Sequence, residues 1–129
     1  MTKAVVQTEY GAFAVDLETE EIDPADASPQ AKPFTADLPR VVGGDAVGST
    51  VVAVVDRKPP LMVSHDAGTT WREAGAGLPQ GRAVAISEDD PDLIVYASRN
   101  RLHVSTNGGV FWRALAVELP EIEAVSLLP

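Results

Sequence analysis

The chain has 129 residues, 45% of them hydrophobic, a formal net charge of −9 and no cysteine. That is enough apolar material for one globular core; it excludes a disulfide framework and thiolate metal sites, and the acidic balance argues against broad nucleic-acid binding, which needs a surplus of Lys and Arg. No apolar run approaches the roughly 20 residues of a membrane-spanning helix, and residues 1–11 lack the apolar stretch of a secretory signal, so a cytoplasmic location without a membrane partner is expected.

In chain order, short apolar runs bounded by turn residues predict strands throughout. The first are 4–8 and 12–17, followed by 20–32, an acidic segment with Ala, Pro24 and Pro29 that reads as a long surface loop and a candidate docking segment. Phe34 marks the next strand. Then come 40–43, 50–55, 61–64 and a strand at Trp71; 83–87, 93–98, 102–105 and a strand at Trp112; and last 124–128. Seven aromatics leave the core to Val, Ala, Leu and Ile, and the near-continuous apolar runs at 50–55 and 93–98 imply strands buried on both faces.

A repeat underlies this order. Leu-Pro recurs at Leu38-Pro39, Leu78-Pro79 and Leu119-Pro120, spaced by 40 and 41 residues, and Trp-Arg precedes the last two at Trp71-Arg72 and Trp112-Arg113. Before each tryptophan lies a turn. One contains Ser64, Asp66, Gly68, Thr70 and Trp71; the other contains Ser105, Asn107, Gly109 and Trp112, with Phe111 where the first has threonine. Glycine supplies positive φ there, and short polar side chains satisfy turn N–H groups.

These residues resemble the Asp-box, or bacterial neuraminidase repeat, with its pattern Ser-x-Asp-x-Gly-x-Thr-Trp; 64–71 matches every specified position and 105–112 departs at Asn107 and Phe111. The resemblance implies an all-β fold of propeller blades, each of four antiparallel strands, with repeats at roughly 1–39 (degenerate), 40–79 and 80–120 and a closing inner strand at 121–129. It also implies that the box residues are structural. The first blade lacks an inner strand and the chain ends on a surplus one. Three blades are too few for a ring of four to eight. A two-fold homodimer exchanging that strand, giving six blades, is therefore expected, with a complementary half-propeller of another chain as the alternative.

Chemistry is sparse. His65 and His103 stand in no metal-ligating or nucleophilic pattern, 88–92 reads as a solvated acidic loop, and neither cofactor nor metal is expected. The blade layout gathers Arg40, Arg57, Arg82, Arg99 and Arg101 on the loops of one ring face, with few acids beside them, and a larger group of acids on the other. Arginine forks at a channel mouth suit carboxylate, phosphate or an acidic protein partner. The expected function is thus a non-catalytic binding or assembly subunit. The alternatives are a sialidase-like glycoside or small-anion hydrolase, for which the arginine triad and tyrosine–glutamate pair implied by the resemblance find no match, and a lectin stacking sugars on Trp71 and Trp112.

Overall fold

The computed structural model describes residues 2–26, 28–29, 34 and 36–128. Among them are twelve strands and no helix: β1 (Lys3–Thr8), β2 (Gly11–Asp16), β3 (Ile22–Pro24), β4 (Val41–Val47), β5 (Thr50–Val55), β6 (Leu61–Ser64), β7 (Arg72–Ala74), β8 (Gly81–Ile86), β9 (Ile94–Ser98), β10 (Leu102–Ser105), β11 (Arg113–Ala114) and β12 (Ile122–Leu127). With no helix, none is long and apolar enough to cross a membrane.

The strands form three four-stranded antiparallel sheets: a first in the order β12-β1-β2-β3, a second β4-β5-β6-β7 and a third β8-β9-β10-β11. The last strand therefore completes the sheet begun by the first, with Ala4 opposite Leu127 and Val6 opposite Val125. The surplus inner strand inferred from the sequence meets its partner within one chain.

Strand parity explains how the sheets stack. Successive side chains point to opposite faces, so along β9 Ile94 and Tyr96 look one way while Val95 and Ala97 look the other. Ile94 and Tyr96, with Val84 and Ile86, pack on Val52, Val54, Leu61 and Val63 of the second sheet. Val95 and Ala97, with Ala85, Leu102 and Val104, pack on Ala4, Val6, Val15 and Val125 of the first. All five residues of β9 are buried, which is why its sequence is apolar up to Ser98. The spatial order is thus second, third, first, with β8 packed between β4 and β12.

Two expectations need correction. The outer strand of the first sheet is Ile22–Pro24, inside the segment read as a loop, and Phe34 belongs to no strand. The cause is local: Asp16 Oδ1 accepts from the N–H groups of Glu18 and Thr19 at 2.8 and 3.0 Å, and Glu20 takes the positive φ (63°) that the other turns give to glycine. A five-residue turn, 17–21, then returns the chain early. Of the expected docking segment 20–32, residues 27 and 30–32 lie outside the described residues. Phe34 instead rests on Gly44, where any side chain would collide with its ring.

Candidate functional site

The two box-like turns carry matching hydrogen bonds. Ser64 Oγ donates to Asp66 Oδ1 (2.7 Å) and accepts from Gly68 N–H (2.8 Å), while Thr70 N–H donates to Asp66 Oδ1 (2.8 Å). In the third sheet Ser105 Oγ donates to Asn107 Oδ1 (2.9 Å) and accepts from Gly109 N–H (2.8 Å), while Phe111 N–H donates to Asn107 Oδ1 (3.0 Å). An amide oxygen can therefore do most of the work of the carboxylate. What Asn107 lacks is the bond from the Thr70 hydroxyl, which heads the causes holding the Asp66 carboxyl down at about 2.

The tryptophans are half-buried. Trp112 packs edge-on against Tyr96 and donates its ring N–H to Gly109 O at 3.1 Å. Each following arginine reaches the next sheet: Arg72 Nη2 donates to Gly108 O (2.7 Å), and Arg113 Nη2 donates to Leu17 O (3.1 Å). Carboxylates reinforce both joints. Asp45 Oδ2 accepts from Ile86 N–H (2.9 Å), and Glu20 Oε1 accepts from the N–H groups of Ala116 and Val117. The Trp-Arg repeat was visible in the sequence; that its arginine fastens one sheet to the next was not.

At the other end the three inner strands share an irregularity. The pairing skips Val42 in β4, Arg82 in β8 and Glu123 in β12. Each is the third residue after the proline of a Leu-Pro pair, and each is exposed. A bulge re-aims a side chain at a sheet edge, so the repeat sets three bulged residues of different chemistry (apolar, cationic, anionic) at equivalent positions. Gly81 beside Arg82 is obligatory, since a Cβ there would collide with Ala97 O.

Around these bulges lies an open cleft of about 540 Å³, lined in part by Val42, Asp56, Gln80, Arg82, Ser98 and Arg99. It brings together Arg82 and Arg99 of the five arginines expected at the mouth. Three of the five are engaged: Arg57 with Glu73 (3.0 Å), Arg99 with Glu121 (2.8 Å) and Arg101 with Glu118 (2.9 Å). Among the described residues Arg40 and Arg82 form no ion pair, and both are exposed. The mouth is accordingly less positive than a count of its arginines implies.

Sequence reasoning missed one polar pair. Ser98 Oγ lies 3.0 Å from His103 Nε2, both residues being buried, and donates to Arg101 O at 3.1 Å. The hydroxyl has one proton, and its use on the carbonyl makes Nε2–H the donor to Oγ. Imidazole in that tautomer is no base toward the serine. Nδ1 is left buried without a partner, and burial, then the Arg101 charge, hold the His103 pKa below its usual value. His65, in the box-like turn of the second sheet, is exposed and lies beside Gly108 of the third. Among the described residues no group of His, Asp and Glu could hold a metal ion. No protein-family model and no curated protein matches the sequence.

Proposed function

We propose that the three sheets are blades of an Asp-box type propeller, and that the chain is a non-catalytic binding or assembly subunit whose bulged mouth takes an anionic ligand or an acidic protein surface through Arg82. The observation that carries this reading is the bulge itself. It lifts an exposed guanidinium, without an ion pair among the described residues, over a cleft whose other arginine, Arg99, is already held by Glu121. A guanidinium fork offers paired donors of fixed geometry to carboxylate or phosphate. A binding role is favoured over hydrolysis because Ser98, the hydroxyl nearest an imidazole, spends its proton on a backbone carbonyl. The sugar-stacking alternative is disfavoured by Trp112, whose ring is packed and hydrogen-bonded.

The test is a titration of the folded protein with inorganic phosphate and, separately, with an oligoglutamate peptide, followed by amide chemical shifts. Binding should map to Gly81, Arg82 and Ser98. Arg82→Ala should weaken it by about tenfold or more, the worth of a charge-assisted hydrogen bond, and Arg57→Ala should leave it unchanged. Equal affinity for the Arg82→Ala protein, or no shift with either probe, would overturn the reading.

A further inference from the structure

We infer that two copies of the chain exchange their N-terminal sheets, so that β1–β3 of each pair with β12 of the other and six sheets close one ring. This rests on the proposed reading of the three sheets as propeller blades and goes beyond the ligand reading, since it does not depend on Arg82. The packing of the sheets follows a rule: β8 lies against β4 and β5 of the second sheet, and β12 lies against β8 and β9 of the third. Among the described residues no comparable packing joins β4 to β12 or β1, so the arc of three sheets stops where the rule calls for another. Rings built by such packing take about four to eight blades. A second copy supplies the missing neighbours for both ends of the arc at once, since what the second sheet lacks is what a first sheet presents.

The connections point to what exchanges. Neighbouring sheets are joined by residues 75–80 and 115–121, six and seven in all, whereas the first sheet is joined to the second by residues 25–40, sixteen in all. Sixteen residues reach at most about 55 Å, enough to carry β1–β3 past the third sheet onto the chain's own β12. In the exchanged ring the same connection joins sheets that are neighbours, and every pairing within each sheet is kept. Exchange of an identical element is a low-cost route to a dimer because only the hinge and the new seam change.

Because the chain has no cysteine, a disulfide can report which copy supplies β12. Ala4 and Leu127 lie opposite one another, and the neighbouring Lys3–Leu128 pair carries the hydrogen bond. Ala4 and Leu127 therefore form the closer, non-hydrogen-bonded type of pair, with Cα atoms about 4.5 Å apart, which a disulfide can bridge. The Ala4→Cys/Leu127→Cys protein, oxidised at sub-millimolar concentration, should run as a covalent dimer on a denaturing non-reducing gel, and the unmodified chain should show twice 13.6 kDa by light scattering. Arg82→Ala should leave both results unchanged, whatever it does to ligand binding. Should the oxidised protein run only as a monomer, or light scattering give 13.6 kDa at every concentration, the exchange is overturned. A second variant lacking residues 28–33 shortens the connection to ten residues and should shift the protein toward dimer; a folded monomer from it would also overturn the proposal.

Discussion

The joints that flank the third sheet and the connection that leads from the first sheet to the second are built differently. Each joint has an apolar seam of alternating side chains, a guanidinium reaching across (Arg72 or Arg113) and a carboxylate capping backbone N–H groups (Asp45 or Glu20). The connection has Phe34 laid on Gly44 of the second sheet. The difference follows the sequence repeat: both arginines belong to Trp-Arg pairs, and the first repeat, where Phe34-Thr35 replaces that pair, contributes no such arginine. Where the repeat is intact the sheets are fastened by charge-assisted hydrogen bonds; where it degenerates they are not.

The strongest way to break this contrast is to empty the joints. Leu61 in one and Leu102 in the other are fully buried, so Leu61→Ala and Leu102→Ala should each cost about 2–5 kcal/mol, read from urea unfolding midpoints. Next come the arginines. Arg72→Ala and Arg113→Ala should each cost about 1.5–3 kcal/mol, as for other hydrogen bonds to charged groups, and because they fasten different joints the double variant should be additive within about 0.5 kcal/mol. A coupling well beyond that would mean that the two joints do not act separately.

Much of this was legible in the sequence, and what was not has identifiable causes. Apolar runs placed between the Leu-Pro and Trp-Arg marks located eleven of the twelve strands within a few residues because those marks sit where the chain must turn. β3 was missed because Asp16 and Glu20 build a turn without glycine, and the marker used in its place, Phe34, is a connection residue. The mouth was half legible: position identified Arg82 and Arg99, but the ion pairs of Arg57, Arg99 and Arg101 depend on Glu73, Glu121 and Glu118, which come from other strands and loops. The bulges at Val42, Arg82 and Glu123 could have been found, since they keep the Leu-Pro spacing.

Smaller effects sharpen the comparison between the two box-like turns. Asp66 titrates near 2 in the folded chain against an ordinary 3.8, so its contribution is fully present above about pH 4 and is lost as pH falls through 2. Asp66→Asn should remove that loss and make the second sheet's turn resemble that of Asn107, seen as a flatter acid limb in thermal unfolding. His103 acts over a different range. Its folded pKa is lowered by burial from 6.5, so the unfolded chain takes up the proton first, and stability should decline as pH falls below 6.5 until the folded pKa is reached. His103→Gln should abolish that dependence. Smallest of all, Val42→Ala at the exposed bulge of β4 should change stability by no more than about 0.5 kcal/mol, as for an ordinary surface substitution.

The most direct test of the architecture is native-state hydrogen exchange on the full chain and on one ending at Pro120, which lacks β12. If β12 completes the first sheet, amides of residues 3–8 lose protection on truncation while those of β5, β6 and β9 keep theirs. Unchanged protection across residues 3–8 would contradict the pairing on which the whole arrangement rests.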